Sequence, residues 1–234
     1  GDAVTINETT ARLLECIREP EMEAGGDFNI AVEPLSSLWN FDERKTVPEE
    51  SEIEEALSHV YFGGWNVEKE GDESIFVTEH DDLRIDVGAF AKGFIADELK
   101  KVLSDNGVSS AVINLGGNVL CVGKRPDGTN FRIGLKEPEK SSSKYLAELS
   151  VDDSSVVTAG IYERYFEENG VHYHHILDTK TGYPVQNELS AVSIVGKESV
   201  MCDFLSTTLF IKGEEEGTGF LNEFNKKRGL SGDE

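Results

Sequence analysis

The chain has 234 residues, of which 38% are hydrophobic, and this is sufficient to bury a sizeable core. Its 45 acidic and 22 basic residues give a net charge of −23, and no strongly basic patch offsets it locally. A surface of this charge repels nucleic-acid phosphates, so DNA and RNA are excluded as partners. The three cysteines follow no zinc or disulfide spacing and predict buried thiols.

The first third of the chain predicts two helices followed by two strands. Residues 9–18 have an apolar pattern typical of a helix that begins near a threonine. Residues 48–60 predict a solvent-facing helix, with a proline in its first turn and acids crowding its N-terminal end. Residues 74–79 and 83–88 alternate apolar and polar side chains like strands, on either side of a predicted turn at His80-Asp81-Asp82.

The two halves of the stretch RIDVGAFAKGFIADELKKVL, residues 84–103, differ in their residue pattern. Its second half predicts an amphipathic helix, because apolar residues recur at roughly helical spacing: Phe94, Leu99, Val102 and Leu103. Its first half instead combines an acid with small residues around Lys92. Such residues let a ligand approach the backbone closely.

The remainder of the chain predicts a series of strands and one last helix. Residues 109–138 read as three short strands separated by glycine-containing turns, and residues 139–144 as a flexible loop. Residues 154–185 alternate strand-like pieces with turns. Residues 189–196 predict a strand, and residues 199–213 a buried helix.

Two oxygen-bearing side chains are placed one helical turn apart in the apolar segment MCDFLSTTLF. Asp203 and Thr207 are at positions i and i+4, so they project from one face of the predicted helix. A carboxylate in apolar surroundings is costly unless it is paired or bound to a metal. Mg²⁺ prefers such oxygen ligands. The alternative is an Asp that acts as a cap and a Thr bonded to its own helix backbone.

Two adjacent histidines precede an aspartate in HYHHILDTKTGYP. In a strand, neighbouring side chains point in opposite directions, so only one of His174 and His175 can face a given site. The pattern fits one packed and one exposed histidine. The alternative is one histidine that acts as a general base or polar clamp. Asp178 would either fix the following turn or orient the ring.

The glycine pairs at 25–26 and 116–117 are weak signals individually. INLGGNV lacks the Lys-Ser/Thr of a phosphate-binding Walker loop, and it is not the G-x-G-x-x-G of a dinucleotide site. No G-x-S-x-G nucleophile elbow is present either.

Five segments together are more specific. The ordered series GGDFNIAVEPLSSLW, IDVGAFAKGFIAD, INLGGNV, TAGIYERYFEENGVHYHHILDTKTGYPV and CDFLSTTLFIKG closely resembles the ApbE family, the FAD:protein FMN transferases. The resemblance runs from about Ala24 to Gly213, with every motif in the family's order. A single glycine pair would not identify a family, whereas five collinear motifs do.

The resemblance implies an α+β fold with two lobes of mixed or antiparallel β-sheet flanked by helices, and a ligand cleft between the lobes. Residues 1–234 would form a single ApbE-like domain, truncated at both ends relative to the family. Family members bind FAD, require Mg²⁺ and transfer FMN to a threonine hydroxyl of a target protein, releasing AMP. Two alternatives keep the same pocket: a Mg²⁺-dependent FAD pyrophosphatase, which gives FMN and AMP, and a non-catalytic flavin-binding protein.

The metal ligands follow from matching the family's motifs to this sequence. The family's GAxAKG motif falls on residues 88–93, where the main-chain oxygen of Ala89 would bind Mg²⁺ and Lys92 would contact FAD. Its D-x-x-x-T pair falls on Asp203 and Thr207, which would complete the metal site. Asp203 is therefore also a catalytic candidate.

The flavin contacts follow in the same way. The family's GG-x-F stretch implies flavin contacts at Ala24, Gly25 and Gly26, and the acid before GAxAKG implies an FAD contact at Asp86. The histidine of its HI-x-D motif matches His175, which would have a catalytic or diphosphate-facing role.

The sequence departs from the family after HI-x-D, where Thr179 replaces the usual proline. The family commonly acts outside the cytoplasmic membrane, often as a lipoprotein, on electron-transport subunits that carry flavin. The resemblance therefore implies an extracytoplasmic location and an acceptor protein of that kind. Peripheral membrane association would depend on a lipid anchor that is not present in this chain.

Overall fold

The computed structural model describes residues 3–138 and 144–230 of the chain. The helices are Glu8–Ala24 (α1), Glu33–Trp39 (α2), Glu50–Ser58 (α3), Ala91–Asp105 (α4) and Ser199–Arg228 (α5), with a short 3₁₀ turn at Ile30–Val32. The strands are Ala3–Ile6 (β1), Trp65–Glu70 (β2), Glu73–Thr78 (β3), Ser110–Asn114 (β4), Asn118–Gly123 (β5), Phe131–Lys136 (β6), Tyr145–Val151 (β7), Ser155–Gly160 (β8), Tyr165–Glu168 (β9), Val171–His174 (β10) and Ala191–Gly196 (β11).

The chain divides into two compact units, each formed by two separate segments. Unit 1 consists of Gly1–Val87 and Arg164–Gln186, and unit 2 of Gly88–Glu163 and Asn187–Glu234. Every strand pair in the described residues is antiparallel. The α+β class and the presence of two lobes are thus confirmed. Assignment of the whole chain to a single domain stays a prediction, as does the cleft between the lobes.

Unit 1 contains a three-stranded sheet of order β1-β3-β2 and the hairpin β9–β10. Its core is centred on Trp39, which stacks on Phe41, Phe166 and Tyr173. The indole N–H of Trp39 donates to the carbonyl of Gly182, 2.8 Å away, so the ring's one polar atom is also satisfied. The residues that close the core around this ring are Leu35, Ile53 and Leu177.

Unit 2 contains a four-stranded sheet of order β11-β8-β5-β4, which packs against α4 and α5. The hairpin β6–β7 forms a separate two-stranded ribbon. Helix α5 is interrupted at Gly213, whose φ of 77° no other residue type adopts readily. After this break the helix continues to Arg228, so it extends beyond the predicted end at residue 213.

Several sequence-based boundaries were wrong. Residues 83–88 form no strand, because they belong to no strand pair in the described part of the chain. The Asp86 N–H instead donates to the Ile30 carbonyl, in the short 3₁₀ turn. Helix α1 continues six residues past Arg18 and ends where Gly25 adopts the left-handed conformation. Strands β1, β2 and β7 were not predicted.

The apolar face of α4 also differs from the prediction. Phe94 is buried and Leu103 packs on the core, but Leu99 and Val102 are 41% and 57% exposed. The buried side of the helix is instead made by small residues, Gly93 and Ala96, which permit close helix packing. Cys121 and Cys202 are buried as predicted, whereas Cys16 is half-buried. The predicted loop at 139–144 lies outside the described residues except for Lys144.

No helix in the described part of the chain combines the length and apolar character needed to cross a membrane.

Candidate functional site

The candidate metal-binding residues lie in unit 2, where α4 begins. Ala89 is exposed in the turn just before the helix, and Phe90 is the N-cap residue, with its ring fully buried. No side chain of α4 itself caps its first turn. The Gly93 amide near this helix start is bonded instead to a residue distant in the sequence.

That residue is Asp203 of α5. Its carboxylate Oδ2 accepts the N–H of Gly93 in a short, buried hydrogen bond. A side chain at position 93 is excluded, since a Cβ there would lie 2.4 Å from the Ser199 carbonyl oxygen. Glycine therefore permits α4 and α5 to approach closely enough for an α4 amide to bind the α5 carboxylate.

Asp97 fixes the same pair of helices one turn further along α4. Its two carboxylate oxygens accept the N–H groups of Ser199 and Val200, each at 2.9 Å. These are the first amides of α5, which has no side-chain cap of its own. A carboxylate at a helix N-terminus satisfies unpaired donors and complements the helix dipole. Asp97 thus sets where α5 starts and, one turn later, where Asp203 lies.

The Asp203 carboxylate is buried without a full counter-charge. It is 5% exposed, and burial raises its pKa to about 6. The Gly93 N–H, the Lys92 ammonium and the Asn118 side-chain amide oppose this rise, while Asp97 adds to it. A buried anion that is only partly neutralised is stabilised by a bound cation.

Lys92 provides the nearby positive charge. Its ammonium donates to the carbonyl of Gly116 at 3.2 Å, in the turn between β4 and β5. Gly116 and Gly117 both have a positive φ, 71° and 73°. The glycine pair therefore allows the tight turn that brings this carbonyl to the lysine.

Thr207 lies one turn after Asp203 on α5 and is half-buried. The helix is regular between them, so both oxygens project from one face. Within residues 3–138 and 144–230 no three His, Cys, Asp or Glu side chains are grouped as a metal site. A carboxylate accompanied by hydroxyl and main-chain oxygens suits a hard cation such as Mg²⁺, so the residues present fit the metal.

The candidate flavin-binding residues of the GG-x-F stretch lie in unit 1. Ala24 is the buried last residue of α1, and Gly25 and Gly26 follow it with φ of 69° and 92°. The Phe62 ring packs 3.6 Å from the position that a Cβ of Gly26 would occupy. Nothing lies within 4 Å of the position that a Cβ of Gly25 would occupy, so the backbone of this turn is open at Gly25.

A buried carboxylate that sequence reasoning missed supports this turn. Glu21 is completely buried, and it accepts the Ile30 N–H at 2.8 Å and the Trp65 indole N–H at 3.0 Å. Burial raises the pKa of Glu21, which both hydrogen bonds and Arg18 oppose. A signal was available, because Glu21 continues the apolar face of α1 after Leu14 and Ile17.

The two adjacent histidines occupy different environments. His174 is 3% exposed, and its Nε2 donates to the Val185 carbonyl at 2.9 Å. Burial lowers its pKa to about 4. His175 is half-buried, and its Nδ1 lies 3.3 Å from the Arg164 carbonyl. A carbonyl only accepts, so Nδ1 carries the proton and Nε2 is the atom able to take one.

Asp178 fixes the turn and does not orient a histidine ring. Its Oδ1 accepts the Lys180 N–H at 2.8 Å, and its Oδ2 accepts the Thr181 hydroxyl. Thr179 donates its hydroxyl to the Gly26 carbonyl at 2.7 Å, and Lys180 forms an ion pair with Asp27. The residue that replaces the family's proline thus connects the histidine segment to the glycine turn.

A cavity of about 400 Å³ in unit 1 brings together two of the predicted residues, Asp86 and His175. Arg164, which sequence reasoning missed, also lines the cavity, and its guanidinium is 3.9 Å from the Asp42 carboxylate. The lining is polar and rich in carboxylates, and it consists of Glu33, Ser36, Ser37, Asn40, Phe41, Asp42, Asp86, Arg164, His175 and Leu177. Such a lining provides hydrogen-bond acceptors for hydroxyl and amino groups of a ligand.

The ApbE family's sequence profile matches residues 1–230. This chain belongs to the ApbE family. The matched residues include the GAxAKG segment and Asp203, which accepts the Gly93 N–H of that segment.

Curated relatives and solved structures agree with this assignment. The chain is 35% identical to an FAD:protein FMN transferase of Klebsiella pneumoniae over 94% of its length and 67% of the relative's. It is 33% identical to one of Treponema pallidum, covering 94% of the chain and 64% of that protein. The chain thus spans about two thirds of these relatives.

Two crystal structures have the same fold. The ApbE protein of Thermotoga maritima has a TM-score of 0.85 at 27% identity, covering 97% of this chain and 73% of that one. The flavinyl transferase ApbE of Pseudomonas stutzeri, in its apo form, has a TM-score of 0.80 at 26% identity, covering 96% and 69%.

Proposed function

We propose that this chain transfers FMN from FAD to a threonine hydroxyl of an acceptor protein and releases AMP, in a Mg²⁺-dependent reaction. The names of its relatives support this reaction. The observation that carries it is the buried Asp203 carboxylate, held by Gly93 N–H and close enough to Lys92 for the ammonium to lower its pKa. This arrangement pairs an incompletely neutralised oxygen ligand with a group that binds phosphate.

Asp203 and Thr207, with the main-chain oxygen of Ala89, would hold the metal. Bound Mg²⁺ would supply a Lewis acid that neutralises charge on the phosphates of FAD. Asp97 and Gly93 hold the carboxylate in place by fixing the start of α5 against α4. Pre-organised groups of this kind stabilise a transition state without rearranging during the reaction.

Lys92 would bind the diphosphate beside the metal. A chain of net charge −23 repels a dianionic diphosphate unless positive groups are placed at the site. The bond from Lys92 to the Gly116 carbonyl holds the ammonium near the helix start. The lysine would then neutralise the charge that develops on the departing AMP phosphate.

His175 is the candidate base. Its Nδ1 proton is directed at the Arg164 carbonyl, which leaves Nε2 to accept the proton of the acceptor threonine. The threonine oxygen would form a bond to the FMN phosphorus, the bond from that phosphorus to the AMP oxygen would break, and the threonine proton would pass to Nε2. Asp86, in the same cavity, and residues 24–26 would contact FAD.

The acceptor that we propose is a flavin-carrying subunit of an electron-transport complex, on the outer side of the cytoplasmic membrane. The support for this acceptor and location is the sequence resemblance. Expression of the full-length gene with a fluorescent flavin readout in membrane fractions tests both. Covalently bound flavin confined to soluble cytoplasmic proteins would contradict them.

The reaction is tested by incubating the protein with FAD, MgCl₂ and an acceptor protein, with a Thr→Val variant of the acceptor threonine as control. We expect AMP in solution and flavin fluorescence on the intact acceptor in a denaturing gel. Free FMN together with AMP, and no labelled acceptor, would identify an FAD pyrophosphatase. FAD binding without AMP would identify a flavin carrier.

A further inference from the structure

One buried donor close to Asp203 has no partner. Asn118, which follows the glycine pair and begins β5, is completely buried. Its side-chain nitrogen makes no hydrogen bond with any part of the chain that the structure describes. An unsatisfied buried donor costs about 1–3 kcal/mol, so an unpaired Asn at this position indicates a role other than stabilising the fold.

A chain of serine hydroxyls sets the orientation of this amide. The Ser199 hydroxyl donates to Asn118 Oδ1 at 3.0 Å, and the Ser155 hydroxyl donates to Ser199 Oγ at 2.8 Å. With Oδ1 engaged in this way, Nδ2 is turned to the other side. Ser199 and Asp203 are four residues apart on α5, so the Asn118 amide is held beside the helix face that carries the Asp203 carboxylate. The flipped amide would place Oδ1 against a carboxylate, which is repulsive.

We propose that Asn118 is a positioning residue for the Asp203 carboxylate. Asn118 Nδ2 would hold one carboxylate oxygen when the site is loaded, while Gly93 N–H holds the other, Oδ2. Donors behind a metal ligand fix its orientation, and their loss typically weakens metal binding about 10–100-fold. This inference rests on the proposed function, since it requires Asp203 to bind Mg²⁺.

The turn that precedes Asn118 also binds Lys92. Gly116, two residues before Asn118, provides the carbonyl that binds Lys92. The turn between β4 and β5 therefore acts on both the ammonium and the carboxylate of the site. The Gly-Gly-Asn sequence, weak as a signal by itself, combines a backbone acceptor and a side-chain donor within three residues.

The test compares Asn118→Ala with Ser155→Ala, which removes a hydrogen bond from the same buried chain without touching Asp203. Mg²⁺ alone is titrated into each protein by calorimetry, and the rise in melting temperature with Mg²⁺ is measured in parallel. We expect Mg²⁺ affinity to fall about 10–100-fold in Asn118→Ala and to change less than about threefold in Ser155→Ala. Asn118→Leu, which fills the same space, gives the same comparison if the alanine variant does not fold.

Mg²⁺ affinity within about threefold of wild type in the folded Asn118 variants would overturn the proposal. Equal losses in the Asn118 and Ser155 variants would overturn it as well, because they would indicate a general disturbance of the hydroxyl chain. Wild-type protein that binds Mg²⁺ no better than Asp203→Ala would instead overturn the metal site of the proposed function itself. The two failures are therefore distinguishable.

Discussion

Two buried polar residues of unit 1, Glu21 and His174, differ from Asp203 and Asn118 of unit 2 in how fully they are hydrogen-bonded. In unit 1, Glu21 and His174 are buried with hydrogen-bond partners at both of their polar atoms. In unit 2, Asp203 is buried with an elevated pKa, and the Asn118 amide nitrogen next to it is unpaired. A satisfied polar network is stable by itself, whereas an unsatisfied one is stabilised by a ligand. The buried Asp203 carboxylate is therefore suited to binding a cation, whereas Glu21 and His174 are satisfied without a ligand.

Asp203 provides the strongest test of this difference. We expect Asp203→Ala to reduce FMN transfer at least about 100-fold, equivalent to about 3 kcal/mol of transition-state stabilisation. Asp203→Asn should be similarly inactive, yet its metal-free form should be more stable than wild type by about 1 kcal/mol, because burial no longer penalises a charge. Activity assays and denaturant unfolding in EDTA measure the two effects.

Retention of Mg²⁺-dependent transfer by either variant would remove Asp203 from the metal site. A metal-free Asp203→Asn protein that unfolds more readily than wild type would show that the carboxylate is satisfied without a cation.

His174 tests the opposite property in unit 1. Its pKa is lowered to about 4 from an ordinary value of 6.5, so the unfolded chain takes up a proton before the folded one. The contribution of His174 to the free energy of unfolding is therefore complete above pH 6.5. It decreases by about 3 kcal/mol in total as the pH falls towards 4. Urea unfolding of wild type and His174→Gln at pH 7 and pH 4 should show this loss in the wild type alone.

The comparison with His174→Gln is needed because Glu21 and Asp203, whose pKa values are raised, act in the opposite direction as pH falls. An equal pH dependence in the two proteins would contradict the assignment to His174.

Gly93 tests the close contact on which the unit 2 site depends. Gly93→Ala would place a Cβ 2.4 Å from the Ser199 carbonyl oxygen, and relief of this overlap should cost about 1–3 kcal/mol of stability and displace Asp203. Gly219→Ala is the matched control, since nothing lies within 4 Å of a Cβ at that helical position. It should raise stability by about 0.5–1 kcal/mol. Equal melting temperatures for both variants would argue against the tight contact.

Thr179 should give the smallest effect. Thr179→Val removes the hydroxyl that donates to the Gly26 carbonyl, which should cost about 1 kcal/mol and raise the KM for FAD more than it lowers kcat. Thr179→Ser keeps the hydroxyl and should resemble wild type. An unchanged KM in the valine variant would separate this hydrogen bond from flavin binding.

Local patterns predicted some features better than others. The i, i+4 spacing of Asp203 and Thr207 correctly places both on one helix, because the period of a helix is independent of its surroundings. The adjacent histidines were correctly divided into one buried and one partly exposed residue. Residues 83–88, by contrast, alternate like a strand but lack a partner, and strand formation requires a partner from elsewhere in the chain.

The supporting residues were harder to find. Asp97 could not be recognised, since its role is to cap a helix about one hundred residues later, and sequence spacing gives no information on such a contact. Glu21 had a usable signal in its position on the apolar face of α1. Asn118 had none, because the meaning of its amide depends on Ser199 and Asp203 together.

The sequence by itself determined the family, the order of most helices and strands, and the candidate ligands, because motifs and periodicity are properties of neighbouring residues. The tertiary structure decided how those ligands are held. It brought Gly93 against Ser199, placed the Asp203 carboxylate on the Gly93 amide and left the Asn118 amide unpaired beside it. Burial and long-range hydrogen bonds produce these effects, and they arise only when distant segments of the chain pack together.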